Sequence, residues 1–172
     1  FVAAKFITDP VWWLFLFWLG KFLASEYELS LAKIGLPMIV VYLMADVGSI
    51  AGGWLAGRFM RLGWSANRAR KSAMLVCALC VAPVILVTQV DNLWLAVGLI
   101  GLAMAGHQGW SANVLTLPSD MFPRQTVASV VGIGGFAGAF GGMGMSYFTG
   151  SQLQSTGSYG TIFLIAGSAY LV

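Results

Sequence analysis

The sequence predicts an all-α fold, a polytopic helical bundle built to sit in a membrane. Three observations carry that prediction. Of 172 residues, 59% are hydrophobic and 9% charged. The apolar stretches are long and dry on every face, unlike the one-sided helices of a soluble domain. The few cations are also gathered in one place: Arg58, Arg61, Arg68, Arg70 and Lys71 are five of the nine Lys and Arg residues. They lie in a single connection between two apolar segments, and such an excess marks the cytoplasmic side. The formal charge of +3 is thereby accounted for, and a nucleic-acid partner is not needed to explain it.

About twenty apolar residues cross a bilayer core of roughly 30 Å. By that measure six spans are expected, over about 1–24, 34–59, 72–90, 93–117, 127–149 and 159–172. They form one domain, 1–172. The first span contains Pro10, which removes a backbone donor and should kink the helix near Thr8 and Asp9. With the basic connection inside, the polar segments 25–33 and 151–158 and the turn at Asp91 fall outside. Segment 118–125, carrying Arg124, falls inside, so every arginine is on one side of the membrane. The chain opens with Phe1 in an apolar run, without an initiator Met or a signal-peptide pattern, and stops at Val172 in another. It therefore reads as a piece of a longer protein.

Glycines recur at four-residue spacing in the second span (Gly48 and Gly52, Gly53 and Gly57) and in the fifth (Gly134, Gly138, Gly142). Small stripes of this kind let a neighbouring backbone approach closely, either as static packing or as a surface on which helices rock. The two glycine-rich spans are the middle members of two groups of three. Val47-Gly48-Ser49-Ile50-Ala51-Gly52-Gly53 resembles Val131-Gly132-Ile133-Gly134-Gly135, the weak trace that inverted transporter repeats leave.

Ionisable groups inside a membrane are costly and mark candidate sites. Lys5 and Asp9 share a helix face at i,i+4 and can pair, as a coupling site or as a static bridge. Asp46 sits mid-span without a partner on its own helix, where it carries a proton or cation or bonds to a neighbouring backbone. The fourth span holds His107, Gln108, Trp110, Ser111 and Asn113, with Thr116 following. Amide, hydroxyl and imidazole groups exchange hydrogen bonds with a polyhydroxylated ligand, and an indole face stacks on a sugar ring. Five such groups together favour a cavity wall over isolated interhelical bonds. Trp12, Trp13 and Trp18 of the first span face lipid, neighbours or the same cavity.

Cys77 and Cys80 have CxxC spacing but lie in an apolar span without further ligands, so buried thiols are expected there, with no metal. No phosphate-binding glycine loop, metalloprotease helix or nucleophile elbow is present, and neither an enzyme active site nor a cofactor is indicated.

Gly53-Trp54-Leu55-Ala56-Gly57-Arg58, then Gly63, Arg68, Arg70 and Lys71, resembles the cytoplasmic loop motif of the major facilitator superfamily. Gly57 stands where that motif has Asp. Ser119-Asp120-Met121-Phe122-Pro123-Arg124, with Val127-Ala128 and Gly132, is similar to a signature of its anion:cation symporter branch. His107 to Asn113 and Lys5 to Trp12 strengthen the likeness to bacterial hexuronate transporters within that branch. The resemblance covers essentially the whole chain and implies a six-helix C-terminal lobe with truncated first and last spans. It implies proton-linked uptake of a sugar acid across the bacterial inner membrane by alternating access against a missing N-terminal lobe. The carboxylate-binding and main proton-carrying residues would then lie in that lobe. The competing class is a membrane sensor or assembly subunit that retains the fold; a channel is disfavoured because no filter or charged ring is present.

Overall fold

The computed structural model describes residues 1–171. Val172, the end of the sixth expected span, lies outside the described residues. Six α-helices follow one another: α1 (Val2–Glu26), α2 (Leu31–Arg61), α3 (Ala66–Val81), α4 (Leu93–Met121), α5 (Arg124–Thr156) and α6 (Gly160–Ser168). α3 runs on as a 3-10 stretch, Ala82–Gln89. The change of helix type follows Pro83, whose ring deprives the preceding turn of a donor.

Helix ends explain where the expected boundaries shifted. The Ser65 side chain accepts from the Arg68 amide and starts α3, and Asn92 does the same for Leu95 and α4. Arg68, Arg70 and Lys71 therefore ride on the first turns of α3, while α2 runs through Arg58 to Arg61. The basic connection is mostly helix, turned by Gly63 at φ 87°. At the other surface α5 continues to Thr156, its polar end held by Ser155 and Thr156 hydroxyls donating to the Gln152 carbonyl. Gly157, at φ 67°, then closes it.

α1 packs chiefly along α5, and α2 along α4. α3 lies behind α4, and α6 covers the 3-10 stretch. Exchanging the triplets α1–α3 and α4–α6 maps one main pairing onto the other, the relation expected of repeated halves. The core joins Leu14, Phe15, Leu19 and Phe22 of α1 to Val84, Ile100, Met104, Ile162 and Phe163. Phe22 meets Phe163 edge-on at 4.9 Å and Tyr159 at 5.0 Å. Outside Phe22, the Tyr27 hydroxyl donates to the Val90 carbonyl at 2.7 Å, tying the end of α1 to the turn before α4.

The outer faces are as apolar as the interior. Leu36, Ile39, Leu43, Val47, Ile50 and Trp54 stand exposed on α2, and Phe136, Phe140, Met143 and Tyr147 on α5. Surfaces of that extent need lipid or protein against them. Among the described residues, α1, α2, α3 with its 3-10 continuation, and α5 are each long and apolar enough to cross a membrane. α4 has the length, but His107, Gln108, Ser111 and Asn113 dilute its apolar character.

Candidate functional site

The site grows around Pro10, inside α1. Lys5 and Asp9 lie one turn apart and pair, Nζ to Oδ2, at 2.7 Å with both side chains largely buried. Pro10 has no amide hydrogen for the Phe6 carbonyl one turn back. That carbonyl lies against Gly141 of α5, where a Cβ would collide with it. Next to it, the Asp9 carboxylate fills the space at Gly138, where a Cβ would also collide. The fifth helix is therefore glycine-rich where α1 presents a main-chain carbonyl and a charge.

On the opposite side of α1, Thr8 donates its hydroxyl to the Ala4 carbonyl at 2.8 Å. The Thr8 carbonyl accepts from the Tyr170 hydroxyl at 3.2 Å. Tyr170 has one proton to give, so its oxygen accepts the short hydrogen bond it shares with His107 Nδ1. That assignment puts the imidazole hydrogen on Nδ1 and leaves Nε2 as the ring's free acceptor. The Trp12 indole lies flat against the His107 ring, centroids 5.6 Å apart and planes 18° from parallel. Trp110 meets Tyr170 edge-on at 5.4 Å. Tyr42 of α2 closes the group against Trp12 at 6.3 Å.

The remaining residues of the fourth-span cluster divide. Asn113 is buried, and its amide nitrogen donates to the Gly52 carbonyl at 3.0 Å and the Gly109 carbonyl at 2.9 Å. Its Oδ1 is buried without a hydrogen-bond partner among the described residues. Ser111 is buried beside it and Gln108 half-buried. Thr116 turns its hydroxyl back to the Asn113 carbonyl. Trp13 does not join Trp12: it points to α5, into the space left at Gly142. Asp46 stands on the exposed face of α2, away from the Lys5–Asp9 pair.

At the basic end, Arg70 pairs with Asp120 at 2.6 Å, bridging α3 to the end of α4. The Arg68 guanidinium lies 4.3 Å over the Trp64 ring. Gly53, Arg58 and Lys71 are exposed. Cys77 and Cys80 are free thiols. Among the described residues no cluster of three His, Cys, Asp or Glu could hold a metal ion.

Sequence reasoning missed Tyr170 and Tyr42, which had no local signal, being single tyrosines far along the chain from their partners. It also missed Lys21, which did have one: a lone cation in an aromatic span.

Buried charges and hydrogen-bonding groups inside a bundle that is apolar on its outer faces define a polytopic membrane helical bundle. A sequence profile of the Major Facilitator Superfamily matches residues 1–146, and the chain belongs to that family. It is accordingly part of a multi-pass integral membrane protein. It is 27% identical over 168 residues to the D-galactonate transporter of Escherichia coli O6:H1, an alignment covering 97% of this chain and 39% of that protein. It is 29% identical over 134 residues to the hexuronate transporter of Escherichia coli K12, covering 77% of this chain and 31% of that one. The chain thus spans 31% to 39% of the length of these relatives.

Proposed function

We propose that this chain is the C-terminal lobe of a secondary active carrier that imports a hexuronate-like sugar acid by proton symport. Its partners are an N-terminal lobe of the same protein, the organic anion, protons and the lipid bilayer. The observation that carries the reading is the junction, along α1, of the Lys5–Asp9 pair with the group formed by Thr8, Trp12, His107 and Tyr170. A charge pair that protonation can break lies one turn from groups suited to a sugar. Its likeness to named sugar-acid carriers supports the substrate class.

In this reading His107, Gln108, Trp110, Ser111 and Asn113, with Trp12 and Trp13, receive the hydroxylated body of the substrate. Asn113 Oδ1 is a buried acceptor without a partner among the described residues, and a substrate hydroxyl would satisfy it. Protonation of Asp9 releases Lys5, and the glycine bay at Gly138 gives the Asp9 side chain room to move as the pair opens. Asp46, on the exposed face of α2, meets the facing lobe and takes part in gating. Gly53, Arg58, Arg68, Arg70 and Lys71 order the cytoplasmic end, where Arg70 and Asp120 hold α3 to α4. The lobes alternate access by rocking on the exposed faces of α2 and α5.

Uptake of a radiolabelled hexuronate by the full-length protein in proteoliposomes tests this directly. Accumulation driven by an imposed pH gradient, and abolished by an ionophore, is expected. Saturable binding without accumulation would replace the carrier with a sensor.

A further inference from the structure

A cleft of about 620 Å³ opens between α1 and α5, within the size range of small-molecule sites. Trp13, Phe17, Trp18 and Lys21 form its α1 wall, and Gly142 and Ser146 lie on the α5 wall. The concavity between α2 and α4, by contrast, is lined by Val40, Leu43, Met44, Val47 and Ala105 and offers no polar side chain.

Lys21 is the feature that gives the cleft a ligand. It lies within a membrane-crossing helix and makes neither an ion pair nor a hydrogen bond among the described residues. An unpaired ammonium at that position is costly, and an anion relieves the cost. A lysine near a helix end can instead extend outward to the headgroups. Here its ammonium turns back toward the preceding turn and lies 5.1 Å from the centre of the Trp18 ring, on the cleft wall. The cation is held over an aromatic surface and aimed at an open volume. Opposite it, Ser146 supplies a hydroxyl, and the missing side chain of Gly142 makes room for the Trp13 indole on the cleft wall.

We propose that this cleft binds the carboxylate end of the transported sugar acid, with Lys21 as its counter-ion, Ser146 as a hydrogen-bond donor and Trp13 and Trp18 packing on the ring. The assignment rests on the sugar-acid reading above and deepens it. It gives this lobe an anion anchor of its own, where resemblance placed all carboxylate recognition in the other lobe. The aromatic walls discriminate little between ring isomers, so the cleft selects for charge.

The test uses the full-length carrier in liposomes of neutral lipid, with a hexuronate and the matching neutral hexose as probes. Lys21→Gln weakens hexuronate binding by about tenfold or more, the loss expected for one charge-assisted contact. Lys21→Arg keeps binding within a few-fold of the parent, Ser146→Ala loses a smaller factor, and hexose binding is unchanged in all three. Parent-like hexuronate affinity in Lys21→Gln, while the parent protein still accumulates hexuronate, overturns this assignment and leaves the carrier reading standing. An equal loss for hexose and hexuronate, or an effect seen only when anionic lipid is added, likewise overturns it, the second making the cleft a lipid groove. A parent protein that binds no sugar acid removes both.

Discussion

The seams α2·α4 and α1·α5 are both glycine-rich and do different things with their glycines. Between α2 and α4 backbone meets backbone: a Cβ at Gly48 would enter the Ala105 main chain, and one at Gly52 would enter that of Gly109. Asn113 then pins the contact by donating to the Gly52 carbonyl. Between α1 and α5 three glycines are bays for side chains, while Gly141 meets the Phe6 carbonyl. Gly134 receives Phe1, Gly138 receives Asp9 and Gly142 receives Trp13. A four-residue glycine repeat is therefore one sequence pattern with two physical uses. The first removes side chains so that main chains touch and cannot slide without breaking hydrogen bonds. The second makes a row of sockets whose occupants can move while the helices stay in place.

The contrast can be broken by putting the same methyl group in both seams. Gly52→Ala is expected to have the largest effect, because main chain cannot yield: destabilisation of about 1–3 kcal/mol or more, read as a lowered thermal midpoint of the detergent-purified full-length protein. Gly138→Ala should cost clearly less stability, since a carboxylate can swing aside, but it displaces Asp9 and should cut proton-driven uptake about tenfold or more. Equal losses of stability at the two positions would erase the distinction between seam and socket. Asp9→Asn sharpens the same point from the other side of the bay. It leaves the socket filled, so the fold persists, while uptake stops responding to an imposed pH gradient; a fully coupled variant would reduce the Lys5–Asp9 pair to a static bridge.

Smaller effects lie further from the sockets. Asn113→Ala deletes two interhelical and intrahelical bonds and should lower stability by about 1 kcal/mol, given that hydrogen bonds between membrane helices average well under 2 kcal/mol. If Oδ1 also receives a substrate hydroxyl, the KM for a hexuronate rises as well. Arg70→Gln should matter least for stability, below about 1 kcal/mol, because its partner Asp120 is partly exposed and water screens the pair. A midpoint unchanged by Arg70→Gln alongside a large drop in Gly52→Ala would locate the rigidity of this lobe in its main-chain seam and not at its cytoplasmic rim.

Much of this architecture was legible beforehand, and the illegible parts have identifiable causes. Helix type and succession followed from long dry apolar runs, because inside a bilayer the backbone must satisfy its own hydrogen bonds. The i,i+4 pairing of Lys5 with Asp9 is local and could be read directly. The reach of helix into the basic connection and into 151–156 was harder to see: polar residues at a membrane surface suit a helix end as well as a loop, and caps such as Ser65 decide. The hydrogen-bond partner of His107 was invisible, since Tyr170 lies 63 residues away. Trp12 and Trp13 looked alike as neighbours in sequence, yet the 100° step between them sends one to His107 and the other to Gly142.

The order of helices, the sidedness of the arginines and the stock of polar groups available for a ligand are properties of the chain read one residue after another, because they depend on hydropathy and near-neighbour spacing alone. Which glycine touches main chain and which cradles a side chain was decided only when helices distant in sequence packed together. So was the gathering of Lys5, Asp9, His107 and Tyr170, and the opening of a cleft beside Lys21. Contacts across that separation are fixed by the shapes of two surfaces at once, and a linear sequence states only one of them at a time.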